Sequence, residues 1–176
     1  MKQAVFLDRD GVINECSTDR VKHVNHPHQF LLLPGAAEAI RSLNEAGLPV
    51  YVVTNQGGVG LGFMKEASLL AIHKRMTSLL AEQGATLEDI AYCPHRPKSG
   101  CSCRKPSPGM LLHLAGEHGI DLSRSIMVGD RETDMEAGKA AGCRTVRIGP
   151  FDPLADHSAP SLAEAVPWIL EQASLD

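Results

Sequence analysis

The chain is poor in aromatic residues, with one Trp, two Tyr and four Phe among 176 positions. A surface built to stack bases needs more, and a formal net charge of −4 removes the basic face that a phosphodiester backbone requires. Nucleic acid is therefore not an expected partner. Apolar runs are also short: none approaches the roughly 18 residues of a membrane-spanning helix, so no membrane partner is expected. Repeats, low-complexity tracts and linkers are missing, which favours one domain over residues 1–176, within the usual size range. The first ten residues pass straight into a strand-like run, without the long apolar stretch of a secretory signal. The cytoplasm is the expected compartment, where clustered cysteines bind metal more often than they pair. Nothing in the composition forces association, and a monomer is expected.

What the chain does have is 43% hydrophobic residues, enough for a real core, arranged in alternating strand-like and helix-like segments. Val5–Leu7, 48–53, 90–92, 125–128 and 145–148 read as strands, with 48–53 and 125–128 apolar enough to be buried in the sheet. Helices are expected from Pro34–Gly35 to Gly47, over about 65–83, and from 107 to about 118 with Ser107 as N-cap and Pro108 at the first helical position. Two more are expected over 132–141, rich in small residues, and over 161–173, broken or kinked near Pro167. His73 and His113 read as ordinary helix residues. The pattern predicts an α/β fold, a Rossmann-like doubly wound parallel sheet.

In such a sheet the carboxyl ends of all strands converge on one edge, where ligands bind. Here three strand ends carry polar groups: Asp8 and Asp10 around Arg9, Thr54–Asn55–Gln56, and Asp130 followed by Arg131 and Asp134. Alone, Asp8–Gly11 could be a strand followed by an Asp-Gly turn. Read with Arg104–Lys105, which precede a helix start suited to anions, the set fits metal-assisted phosphoryl transfer. One carboxylate attacks phosphorus, a second acid protonates the leaving oxygen and activates water, and a hard cation such as Mg²⁺ offsets the repulsion between anions.

Four soft ligands, Cys93, His95, Cys101 and Cys103, fall within eleven residues. They suffice for a closed, structural Zn²⁺ site, with Pro97–Gly100 as the return turn. The alternatives are cysteines that happen to share a loop, or a disulfide; a loop with no other anchor favours zinc. Such a clip would fix Arg104 and Lys105. Cys143 reads as core, and Cys16 has no assigned role.

Leu7–Gly11, Val53–Gln56, Cys103–Pro106 and Val128–Asp130 together resemble, in order, the four motifs of the haloacid dehalogenase (HAD) superfamily of phosphatases, over residues 3–149. The resemblance implies Asp8 as a nucleophile forming a phosphoaspartyl intermediate, Asp10 as general acid/base, and Thr54 and Lys105 as phosphoryl-binding groups. It further implies Asp8, the backbone carbonyl of Asp10, and Asp130 as Mg²⁺ ligands, with Asp134 positioning that site or capping the following helix. Asn55, Gln56, Arg104 and Arg131 are the expected substrate contacts. Between the motifs no segment is large enough for a cap domain, leaving residues 15–33 and 93–106 as lids at most. The zinc-type loop leading into Cys103–Leu111 is similar to two HAD branches, the heptose-bisphosphate phosphatases and the histidinol-phosphate phosphatases, and most like the former. That branch implies a small phosphorylated sugar as substrate. The chain departs from it in a shorter zinc loop, in residues 15–33, and at Gly57–Gly62, which lack the usual serine and arginine.

Overall fold

Strand formation follows the short apolar runs. In the computed structural model, which describes residues 1–175, the strands are β1 (Val5–Leu7), β2 (Val50–Asn55), β3 (Asp89–Cys93), β4 (Ile126–Gly129), β5 (Arg144–Ile148) and β6 (His157–Ala159). All adjacent pairs are parallel, in the order β3-β2-β1-β4-β5-β6. The connecting helices are α1 (Ala36–Glu45), α2 (Glu66–Glu82), α3 (Gly109–His118), α4 (Glu132–Ala141) and α5 (Leu162–Ser174).

Side chains alternate across the sheet, as the two-residue period of a strand requires. Val5 and Leu7 share a core with Ile40 and Leu43 of α1, Leu69 and Ile72 of α2, and Ile169 of α5. Ala4 and Phe6 point the other way, onto Met110, Leu111 and Leu114 of α3 and Ala137 of α4. The sheet is thus covered on both faces, the expected doubly wound arrangement. Its α4 packs especially close: a Cβ on Gly138 would lie 2.8 Å from Met127 Cβ and 2.7 Å from Thr145 Cγ2.

Three details differ from the sequence expectation. Residues 157–159 add a sixth strand, pairing with β5 through Val146↔His157 and Ile148↔Ala159; three residues carry too little periodicity to be read as a strand. Helix α3 starts one residue later than expected, with Pro108 at the N-cap and no side-chain cap. The Ser107 N–H is drawn back to Arg104 O at 2.9 Å, closing a turn before the helix. Finally, α5 runs unbroken through Pro167. Ala165, Val166 and Ile169 are buried while Pro167 is exposed, so core packing holds the helix and water can solvate the carbonyl that proline leaves without a donor.

The strand order reverses between β1 and β4, the topological switch point of a doubly wound sheet. Asp8 and Asp130 are the residues that leave those two strands. No helix among the described residues is long and apolar enough to cross a membrane.

Candidate active site

Asp8 leaves β1 with its backbone N–H still donating to Val128 O of β4 at 2.9 Å. That bond aligns the first acid with the strand that delivers Asp130. Gly11 completes the approach. Its φ is +84°, and a Cβ there would overlap the Asp130 carboxylate, lying 2.7 Å from its Cγ. Only glycine adopts this backbone cheaply and leaves the space empty.

Lys105 reaches the same point from 97 residues further along the chain. Its ammonium is 4% exposed and donates to Asp8 Oδ1 at 2.9 Å, Asp134 Oδ1 at 2.6 Å and Val53 O at 2.8 Å. All three of its donors are spent. The backbone of Lys105 is fixed in turn by Asn55. The Lys105 N–H donates to Asn55 Oδ1 at 2.9 Å, and Asn55 Nδ2 donates to Lys105 O at 3.1 Å. Asn55 itself sits in the sheet, paired with Cys93.

Asp134 serves two ends at once: Oδ1 accepts from Lys105, and Oδ2 accepts from the Arg131 N–H at 3.0 Å, capping α4. The helix cap expected for it is present, and the same carboxylate also holds Lys105. Asp8, Asp130 and Asp134 each bring an oxygen within 4.8 Å of the others, and two of the three, Asp8 and Asp134, pair with the Lys105 ammonium. Burial first, then Asp134, pushes the Asp8 carboxyl well above the usual carboxylate range, against the pull of Lys105. Burial followed by Asp134 also raises Asp130. Asp130 Oδ1 is buried with no hydrogen-bond partner among the described residues, an expensive state for a carboxylate oxygen. An all-oxygen donor set with surplus negative charge and an orphaned oxygen fits a hard divalent cation. Since both oxygens of Asp134 are engaged, Asp8 and Asp130 are the carboxylates free to ligate one.

Asp10 is held differently. Its Oδ1 accepts from Arg9 Nε at 3.0 Å, Arg9 Nη2 at 2.8 Å and Asn14 Nδ2 at 2.9 Å, while Oδ2 accepts from Gln56 Nε2 at 3.1 Å. Burial would raise its pKa, but the Arg9 guanidinium and the hydrogen bonds hold it below the usual carboxylate range. The sheet edge therefore holds two acids in different surroundings, Asp8 crowded by carboxylates and Asp10 paired with a guanidinium.

A cavity of about 670 Å³ opens over these groups, within the range of small-molecule sites. Its wall includes Asp8, Asp10, Asn55, Gln56, Arg104, Lys105 and Arg131, together with Cys16, His23, Leu61 and Phe63 from the flanking loops. Thr54 is 1% exposed, does not line the cavity, and accepts from Gln56 Nε2 at 2.9 Å through Oγ1. Arg9, Asn14 and His73 escaped the sequence reading as parts of this site. The available signal was Arg9 itself, because a guanidinium between two acids at a buried strand end must find partners.

Below the cavity, Cys93, His95, Cys101 and Cys103 converge. Cys93 Sγ lies 3.3 Å from His95 Nδ1, 3.7 Å from Cys101 Sγ and 3.0 Å from Cys103 Sγ, and His95 Nδ1 lies 3.2 Å from Cys103 Sγ. All five cysteines of the chain are unpaired. A tetrahedron with Zn–S bonds of about 2.3 Å has edges of about 3.8 Å; the Cys93–Cys101 pair is already at that spacing, and the Cys93–Cys103 pair would have to open to hold one soft metal ion.

The HAD-hydrolase-like family model matches residues 102–164. A D-glycero-β-D-manno-heptose-1,7-bisphosphate 7-phosphatase of Pseudomonas aeruginosa is 44% identical, over 84% of this chain and 81% of that protein. A D-glycero-D-manno-heptose-1,7-bisphosphate 7-phosphatase of Thermosynechococcus vestitus is 36% identical, over 96% and 95%. Among solved structures, a D,D-heptose 1,7-bisphosphate phosphatase of Bordetella bronchiseptica, complexed with magnesium and phosphate, superposes with a TM-score of 0.88. It has 34% identity and covers 98% of this chain and 100% of its own. Relatives this similar, over this much of their own length, share one ancestry with it: the chain belongs to the HAD-like hydrolases and is a phosphatase of that family.

Proposed function

We propose that the protein is a Mg²⁺-dependent phosphomonoesterase acting on a sugar bisphosphate, with removal of the 7-phosphate from D-glycero-D-manno-heptose 1,7-bisphosphate as its reaction. The observation that carries this reading is a single cavity lined both by the Asp8–Asp10 pair and by the cationic side chains of Arg104 and Arg131. A monophosphate needs only the first group; a second phosphate gives the two guanidiniums their use. The names of the relatives support the same substrate.

Asp8 attacks phosphorus: a bond forms between its carboxylate oxygen and phosphorus, and the bond from phosphorus to the sugar oxygen breaks. Asp10 gives its proton to that departing oxygen, then takes one from the water that attacks the phosphoaspartyl group, which releases phosphate and restores Asp8. Lys105 keeps the Asp8 carboxylate oriented and offsets charge beside it. Asn55 holds Lys105 by its backbone, and the Gln56 amide bridges Thr54 and Asp10. Thr54 contributes through that bridge beneath the phosphoryl site. Asp8, the Asp10 carbonyl and Asp130 would hold Mg²⁺, which when bound neutralises charge between attacking carboxylate and phosphate. Cys93, His95, Cys101 and Cys103 would hold a structural Zn²⁺, fixing the stretch that continues into Arg104 and Lys105. The protein acts as a cytoplasmic, single-domain monomer.

A steady-state panel of phosphomonoesters with Mg²⁺ tests the substrate. The highest kcat/KM is expected for heptose 1,7-bisphosphate, above sugar monophosphates and histidinol phosphate. A preference for histidinol phosphate, or no activity on the heptose, would refute the substrate and leave the mechanism standing.

A further inference from the structure

Arg9 is the largest fully buried side chain of the protein, 1% exposed, and it lies between the two acids of the first motif. A guanidinium is expensive to bury unless every edge finds a partner. Two of its nitrogens, Nε and Nη2, converge on one oxygen of Asp10, Oδ1. The third, Nη1, meets His73 Nε2 of α2 at 3.1 Å, 64 residues away in sequence. Arginine keeps its protons, so His73 Nε2 must be the acceptor; the imidazole is neutral, with its proton on Nδ1. Asn14 adds a third donor to Oδ1, at 2.9 Å. The other oxygen, Oδ2, receives only Gln56 Nε2, at 3.1 Å.

This asymmetry has a chemical consequence. An oxygen with three donors aimed at it has no lone pair in position to carry a proton. An oxygen with a single amide donor retains one. We infer that Arg9 and His73 form a positioning pair for Asp10: His73 fixes the guanidinium plane, the guanidinium clamps Oδ1, and Oδ2 is left as the oxygen that exchanges the proton with the leaving group and with water. The inference rests on the reading of Asp10 as acid/base and adds which oxygen acts and which helix holds it in place. Neither Arg9 nor His73 lines the cavity. Their effect passes through the angle of the Asp10 carboxylate, where a small misplacement is costly.

The test separates positioning from folding by the leaving group. An alkyl phosphate needs its departing oxygen protonated; a p-nitrophenyl phosphate does not. Leaving-group release is followed in a single turnover by rapid quench, for both esters, in wild type, His73→Leu and His73→Gln. Leucine removes the acceptor for Arg9 Nη1, whereas glutamine can present an amide oxygen close to where Nε2 lies. In His73→Leu the alkyl ester is expected to slow about tenfold, a part of the 10²–10⁴ that acid–base groups contribute, with the aryl ester within about twofold and KM little changed. His73→Gln should restore most of the alkyl rate. Equal loss on both esters, an unchanged alkyl rate, or no rescue by glutamine would overturn the positioning role. Should the leucine variant fail to fold, His73→Asn, whose amide falls short of the guanidinium, serves the same comparison. Asp10→Asn is measured alongside: if it retains the alkyl rate, the acid/base reading of Asp10 has failed, which is a different outcome from a failure of the pair.

Discussion

Lys105 is the point where removal should cost most. Its ammonium is buried, and it donates to two carboxylates and a carbonyl, Asp8 Oδ1 at 2.9 Å, Asp134 Oδ1 at 2.6 Å and Val53 O at 2.8 Å. Lys105→Met keeps the length and apolar stem but deletes every donor. Two charge-assisted bonds at about 1.5–3 kcal/mol each and one neutral bond at about 1 kcal/mol give a gross loss of about 4–7 kcal/mol. The ammonium's own desolvation cost, recovered in the variant, brings this to the roughly 3–5 kcal/mol typical of a buried pair that loses one partner. The deficit sits in the orphaned acids, so neutralising one of them should return part of it. In urea unfolding followed by circular dichroism, without divalent cations at neutral pH, Lys105→Met should lose about 3–5 kcal/mol. Adding Asp134→Asn to it should cost less than the sum of the two single changes, with a coupling of about 1.5 kcal/mol or more. A single-variant loss below about 1 kcal/mol, or strict additivity, would refute the picture of two carboxylates held by one buried ammonium.

Other perturbations follow from the same geometry. Gly11→Ala forces a Cβ into the Asp130 carboxylate at a φ of +84°; it should lower stability by at least about 1–2 kcal/mol and weaken Mg²⁺ activation, and wild-type Mg²⁺ dependence in that variant would contradict the role given to Asp130. Elemental analysis of protein purified without added metal should find about one zinc per chain, falling sharply in Cys101→Ser; a metal-free wild type with full activity would remove the zinc clip. His73 provides a pH signature. Burial, then Arg9, lowers its pKa to about 4, against about 6.5 when unfolded, so the unfolded chain binds the extra proton between those values. The contribution of neutral His73 is therefore complete above about pH 6.5 and declines as pH falls toward 4, by about 2 kcal/mol between pH 7.5 and 5. Unfolding of His73→Gln should lack that part of the acid slope, and identical slopes in the two proteins would exclude it.

How much of this could be read from residues alone depends on range. Apolar runs that end in Asp8, Thr54 and Asp130 announce themselves, because parallel pairing sends every carboxyl end to one edge, and the structure has all its strand pairs parallel. The zinc-type ligands are equally local, two pairs on one loop. Hidden from the sequence are contacts that join distant segments. His73 looks like any polar helix residue until α2 is laid against Arg9, and nothing local announces that the Asn55 amide clasps the Lys105 backbone while Asn55 lines the cavity. Proline at 167 misleads because local propensity favours a break and core packing by Val166 and Ile169 overrides it. The loops at 15–33 and 57–63 carry little periodicity, so their joint wall around the cavity emerges only in three dimensions.

The central claim is that Asp8 carries the phosphoryl group. Rapid acid quench of the enzyme turning over the proposed heptose bisphosphate, followed by borohydride reduction and peptide mapping, tests it directly. A modified residue at position 8, absent from Asp8→Asn and from enzyme quenched without substrate, is the predicted result. An adduct on any other residue, or an Asp8→Asn protein that still turns over, would contradict the account.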